Sequence, residues 1–126
     1  MKIIKKSKIK EASVYADLMK TELQVLETCL HPNITKVFEM FEDDENFYVV
    51  CELSTGGTLL DKLGKAEFSP EKAARVIKQL LLALNYMHEE KNIAHRDIKL
   101  ENILCMPHSD DKDGCFTVKL TDFGFA

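Results

Sequence analysis

The segment SPEKAARVIKQLLLALNYMHEE, residues 69–90, constrains the fold more than any other stretch. Ser69 is placed as an N-cap and Pro70 as the first helical residue, where its missing N–H costs nothing and its fixed φ suits the helix. The helix predicted from there to about Glu89 carries Ala73, Ala74, Val76, Ile77, Leu80, Leu81, Leu82, Ala83, Leu84 and Met87. These side chains cover more than one face, so the helix expects neighbours on nearly all sides. A chain of 126 residues holds one core and buries roughly two-thirds of the surface its unfolded form exposes.

The segments around this helix alternate in period. Tyr15, Leu18, Met19, Val25, Leu26 and Cys29 recur at steps of three and four, which predicts a helix from about Ala12 to Cys29. Glu22 sits inside that apolar stripe. An ionised carboxylate on a buried face costs several kcal/mol unless a cation meets it, so Glu22 asks for a partner from elsewhere in the chain. His31-Pro32-Asn33 breaks the helix, and ITKVFEMF and NFYVVCEL around the acidic turn EDDEN read as a hairpin. STGG is a loop, TLLDKLG a short helix, NIAHRDIKLEN a loop, and ILCM and FTVKLTD short strands. Helices and short antiparallel strands are segregated, which argues an α+β fold.

Composition excludes several function classes. With 45% hydrophobic and 30% charged residues the chain reads as an ordinary globular protein. A net charge of −4 argues against a nucleic-acid or anionic-membrane binder, whose affinity comes from neutralising phosphates with lysine and arginine. The opening MKIIKKSKIK concentrates positive charge and reads as a basic tail, the start of a targeting peptide, or a strand whose first half is missing. A signal peptide would need an apolar stretch next, but EASVYADLMKTE follows, and the run Leu80 to Leu84 is far too short to span a bilayer. The expectation is a cytoplasmic protein without a membrane anchor. Cys29, Cys51, Cys105 and Cys115 form no CxxC pair, so they suggest idle thiols in a reducing compartment rather than zinc or redox chemistry. In SDDKDGCF, Asp111, Asp113 and Gly114 have the spacing of a calcium loop. Ser109 and Leu120 fill its first and twelfth ligand positions, which leaves a polar hairpin loop as the better reading.

The chemistry is carried by His95-Arg96-Asp97-Ile98-Lys99-Leu100-Glu101-Asn102, of pattern HRDxKxxN, followed by Asp122-Phe123-Gly124. Five fixed letters make a chance match on the order of a few in 100,000. On these motifs the chain resembles the eukaryotic protein kinases. STGG and HRDIKLENIL are most similar to the calcium/calmodulin-dependent and calcium-dependent group. The resemblance implies a partial bilobal kinase fold, with residues 1–53 as part of the small lobe and hinge and 54–126 as the start of the large lobe. It implies ATP and Mg²⁺ as cofactors and a protein substrate phosphorylated on serine or threonine, with basic residues near the acceptor.

Residue by residue, the resemblance makes Asp97 the group that orients the substrate hydroxyl and accepts its proton. Lys99 neutralises charge on the γ-phosphoryl group, and Asn102 and Asp122 are oxygen ligands for Mg²⁺. Phe123 packs beside the metal ligand, and Gly124 lets the backbone turn. His95 could be an acid/base group, but the resemblance makes it a core residue touching Phe123. Glu22 would pair with a strand lysine holding the ATP phosphates, and Lys2 is at that place. Cys51 would stand behind the adenine, Glu52 and Leu53 would offer the base backbone hydrogen bonds, and Leu104 and Glu101 complete the nucleotide-binding set. Relatives often carry glutamate where this chain has Thr58, which leaves Glu101 as the candidate contact to a basic substrate residue.

The glycine-rich phosphate loop would precede Lys2, and the activation segment and substrate-binding helices would follow Ala126. The expectation is therefore a kinase domain truncated at both ends, with apolar surface exposed on the helix from Pro70 to Glu89. The alternative is a non-catalytic, kinase-like binding partner that docks through that helix.

Overall fold

The lysine- and isoleucine-rich opening folds as a strand. β1 runs Lys2–Lys5, with half-buried Lys2 and Ile4 alternating with exposed Ile3 and Lys5, the period of a sheet covered on one face. The structure is a computed structural model that describes residues 1–8, 20, 24–64, 68–107 and 116–122. The helix expected over 12–29 is helical at 20 and 24–27, and Leu26 and Cys29 are buried. Its remainder, with Glu22, lies outside the described residues, as do 108–115 with the calcium-loop-like stretch, and Phe123 and Gly124.

The chain divides into two compact units, one of Met1–Leu30 with Lys36–Glu52 and one of His31–Thr35 with Leu53–Ala126. In the first, β2 (Val37–Glu42) and β3 (Asn46–Cys51) form the expected hairpin, and β1 pairs antiparallel with β3, giving the order β1-β3-β2. The turn is built by Asp43, whose Oδ1 accepts the N–H groups of Glu45 at 2.8 Å and Asn46 at 2.7 Å while its Oδ2 accepts the Tyr48 hydroxyl at 2.7 Å. A short acidic side chain that bonds its own downstream backbone is what such a turn needs. Val37, Phe47 and Val49 fill the covered face. The register slips between Val37 and Glu39, leaving Phe38 in the bulge and 59% exposed. The strand expected to begin at Ile34 starts at Val37 instead, because Ile34 and Thr35 are taken up by the second unit.

In the second unit α1 (Leu59–Leu63) is closed by a capping box between Thr58 and Asp61. Helix α2 (Pro70–Asn85) starts as expected, with Ser69 Oγ accepting the Lys72 N–H and Pro70 in its first turn. It passes into a π-helical turn at Tyr86–Glu90 rather than running on as a regular helix. Strands β4 (Ile103–Pro107) and β5 (Phe116–Leu120) pair antiparallel in the register Ile103 opposite Leu120 and Cys105 opposite Val118. Helix α2 packs on β5. Val76, Leu80, Ala83 and Met87 are buried with Ile34, Ile103, Cys105, Val118 and Leu120. Ile77, Leu81 and Leu82 are 54%, 60% and 51% exposed. The helix is therefore covered along one stripe rather than on nearly all sides, and its second apolar face is open, as the exposed-surface expectation had it. Among the described residues no helix is long and apolar enough to cross a membrane.

The loop before α1 lies against β4, where the Cys105 N–H donates to Gly57 O at 2.9 Å. A Cβ on Gly56 would come within 2.1 Å of Cys105 O, a rigid backbone atom, whereas one on Gly64 would meet its neighbours at 3.7 Å and beyond. Gly56→Ala is therefore expected to lower stability by about 1–3 kcal/mol, the range for forcing volume into a packed site. Gly64→Ala should stay within about 0.5 kcal/mol. Urea unfolding of the two variants against the parent checks both.

Candidate catalytic site

The loop after α2 returns the chain towards the β4–β5 hairpin, and among the described residues three with a side chain beyond glycine take positive φ: Asn92 at 57°, Arg96 at 66° and Asp122 at 60°. Asparagine and aspartate tolerate this conformation best, and each such residue costs of order 1–3 kcal/mol unless its surroundings fix it. Arg96 and Asp122 are fixed by one ring. His95, 1% exposed, bonds Thr121 O through Nε2 at 2.9 Å and accepts the Asp97 N–H at Nδ1 at 3.3 Å. The peptide groups that flank the two left-handed residues are thus pinned to the same imidazole.

Both bonds require a neutral ring with one donor and one acceptor. Burial supplies that state: it pushes the His95 pKa below its ordinary value, outweighing the Thr121 bond and the nearby charges of Asp97 and Asp122. His95 is spent on structure, in line with the core role rather than the acid/base one.

The bonded Asp97 N–H sets the backbone from which the Asp97 carboxylate projects. Its Oδ2 accepts from Lys99 Nζ at 2.7 Å and from Asn102 Nδ2 at 2.8 Å, and Asn102 Nδ2 also donates to Asp97 O at 2.9 Å. The Lys99 ammonium holds the Asp97 carboxyl below the usual aspartate range, with help from Asn102, and Asp97 in turn pushes Lys99 up. Asn102 is 4% exposed and stands in a 3₁₀ turn, Leu100–Asn102. With both amide hydrogens given to Asp97, its Oδ1 is the acceptor left for a cation. The Thr121 N–H donates to Asn102 O at 3.0 Å, which brings the backbone leading into Asp122 beside Asn102. An amide oxygen and a carboxylate fit Mg²⁺, which takes hard oxygen ligands, keeps several waters and needs few protein groups.

The second unit therefore brings Asp97, Lys99 and Asn102 into direct contact and Asp122 up to them. Glu101 is exposed on the same turn, and Leu104 is half-buried in β4, bridged to Thr58. Leu53 is 80% exposed. In the first unit Lys2 stands on the covered face of β1, and Cys51 is a half-buried free thiol at the end of β3. Glu52 donates its N–H to Lys36 O at 2.9 Å and accepts the Lys36 N–H at 2.7 Å through Oε1. Thr58 spends its hydroxyl on the α1 cap. Among the described residues no three acids, histidines or cysteines gather as a metal-binding group. Two paired amides are not evident from the sequence, buried Asn33 and half-buried Gln79. Asn33 was read only as part of a helix stop, and Gln79 was passed over although it interrupts an apolar helix.

Residues 1–126 match the family described as the protein kinase domain, and the chain belongs to that family. It is 42% identical over 127 aligned residues to calcium-dependent protein kinase 5 of Plasmodium berghei (strain Anka), covering 100% of this chain and 21% of the relative. It is 40% identical, over 100% of this chain and 17% of the relative, to the probable serine/threonine-protein kinase fhkD of Dictyostelium discoideum. Calcium/calmodulin-dependent protein kinase type 1 of Macrobrachium nipponense is 37% identical, with 100% of this chain and 34% of the relative covered. The chain thus spans between 17% and 34% of the length of these relatives.

The site has a titration signature. Because its folded pKa is depressed, Asp97 contributes stability that is present above the ordinary aspartate value of 3.8 and is lost as pH falls through the folded pKa. The Asp97 carboxyl carbon, followed by NMR, is expected to titrate below 3.8. Lys99→Met should move its midpoint upward and weaken the acid-side loss of stability.

Proposed function

We propose that this chain carries the catalytic loop and metal-binding segment of a serine/threonine protein kinase. In the whole protein it would take part in transferring the γ-phosphoryl group of ATP to a serine or threonine hydroxyl of a protein substrate. The observation that carries the reading is the Asp97–Lys99–Asn102 cluster with Asp122 drawn to it through Thr121. Phosphoryl transfer depends on positioning and electrostatics more than on a strong base, and the cluster supplies both.

Asp97, kept ionised by Lys99 and with Oδ2 already occupied, accepts the substrate proton at Oδ1. Lys99 places a cation beside the oxygens that gain charge. Asn102 Oδ1 and the Asp122 carboxylate would hold Mg²⁺, which screens the phosphates and helps orient ATP when bound. By resemblance, Lys2 with Glu22 takes the phosphates, and Cys51, Glu52, Leu53 and Leu104 take the adenine. Exposed Glu101 suits a basic residue of the substrate. Residues 1–53 and 54–126 would then be the small-lobe and large-lobe portions, in a protein that works in the cytoplasm.

A second reading, a kinase-like binding partner without catalysis, is favoured by one observation, the open apolar face of Ile77, Leu81 and Leu82 on α2. Purified chain, and the whole protein that contains it, are to be assayed for Mg-ATP binding and for phosphate transfer to a basic serine peptide. The kinase reading expects Mg-dependent ATP binding that Asp122→Asn abolishes. It also expects transfer by the whole protein that Asp97→Asn lowers by about 10²–10⁴-fold, the usual reach of a positioned proton acceptor. Transfer indifferent to Asp97, or no ATP binding by either protein, would leave the partner reading standing.

A further inference from the structure

The second unit contains a part-buried amide pair that the catalytic reading leaves unused. Asn33 is 5% exposed, and Gln79 lies half-buried on α2. Asn33 Nδ2 donates to Gln79 Oε1 at 2.8 Å and to Val118 O at 2.9 Å. Gln79 Oε1 also accepts the Val118 N–H at 3.0 Å, and its Nε2 reaches Arg75 O and Phe116 O at 3.4 Å. Two side-chain amides therefore take up both backbone polar groups of Val118 on the edge of β5 that points away from β4.

Two residues on, the same edge is paired again. The Leu120 N–H donates to Asn33 O at 2.9 Å, and Leu120 O accepts the Thr35 N–H at 2.9 Å. Asn33 thus touches β5 twice, through its side chain at Val118 and through its backbone at Leu120. The next residues are Thr121, whose N–H goes to Asn102 and whose carbonyl goes to His95, and then Asp122. A strand edge without partners can slip or fray, and a slip of one residue here would carry Asp122 to the opposite face.

We propose that the Asn33–Gln79 amide pair is a positioning device that fixes the outer edge and register of β5 and thereby holds Asp122 in place to bind a divalent cation. What Asp122 binds rests on the kinase reading; the fixing of β5 does not. The residue types follow from the donor count. Position 79 needs an oxygen that accepts twice, which glutamate would also supply, whereas position 33 needs a nitrogen that donates twice, which aspartate could not.

The experiment uses the 126-residue chain, ¹⁵N-labelled, as parent, Gln79→Leu and Gln79→Glu. Amide hydrogen exchange is read at Val118, Leu120 and Thr121, and Mn²⁺ with ATP is titrated while paramagnetic broadening is followed at Asp122. In Gln79→Leu, Leu120 and Thr121 should exchange about tenfold faster or more, the factor that goes with stranding a buried hydrogen-bonding group. The Mn²⁺ concentration for half-broadening should rise with it. Gln79→Glu should damage both readouts less than Gln79→Leu, since its carboxylate still accepts twice, although it loses the Nε2 donations to Arg75 O and Phe116 O. Unchanged exchange in Gln79→Leu overturns the proposal, and so does equal damage in Gln79→Glu, which would mark a packing role. Faster exchange with unchanged Mn²⁺ broadening overturns the link to Asp122. If Gln79→Leu does not fold, the parent decides: Val118 and Leu120 should open as one unit with matching protection, and independent protection overturns the proposal. A parent whose Leu120 is protected but whose Asp122 is never broadened refutes the kinase reading and the cation half of the proposal, while the exchange comparison still decides the fixing of β5.

Discussion

One neutral imidazole holds the candidate site together. His95 has one acceptor nitrogen for the Asp97 N–H and one donor nitrogen for Thr121 O, and these two groups lie just after left-handed Arg96 and just before left-handed Asp122. Each of those conformations costs of order 1–3 kcal/mol, which buried hydrogen bonds and a packed ring are able to offset. Removing the ring would leave both peptide groups without their partner at the points where the backbone is most strained. The lowered pKa of His95 belongs to the same arrangement, because an imidazolium could not accept from Asp97.

From that ring the geometry propagates through short links. Asp97 is set by His95 and trimmed by Lys99 and Asn102, and Asn102 receives Thr121 through its carbonyl. Thr121 is the last residue before Asp122 and continues β5, whose far edge is occupied by Asn33, Thr35 and Gln79. Phosphoryl transfer needs charges held at fixed places before the substrate arrives. Under the proposed function, a chain of mutually satisfied polar groups attached to a β-hairpin and one helix, with His95, Asn102 and Asn33 buried, meets that need better than a mobile loop would.

Much of this was legible in the sequence where the signal is local. The N-cap at Ser69, the short helix after Thr58, the acidic turn EDDEN and the pairing of β4 with β5 all follow from residue types at fixed offsets. The HRDxKxxN and DFG letters single out Asp97, Lys99, Asn102 and Asp122, which the second unit brings close to one another. What was not legible depends on partners far apart in the chain. Ile34 and Thr35 alternate like the rest of their predicted strand, yet they pair with Leu120, because the edge of β5 offers them hydrogen bonds that β3 does not. The heavily apolar helix looked as though it needed covering all round, and one stripe against β5 is what it has. Gln79 and Asn33 are 46 residues apart, so nothing local reveals that each completes the other.

The clamp itself can be measured. Long-range ¹H–¹⁵N correlation NMR on the ring nitrogens of His95 reports which one carries the proton. The expected result at neutral pH is a protonated Nε2 and an unprotonated Nδ1 that stays so as pH falls past 6.5, the ordinary histidine value. A proton on Nδ1, or an imidazolium at neutral pH, would contradict the claim that this ring joins the Asp97 and Asp122 segments.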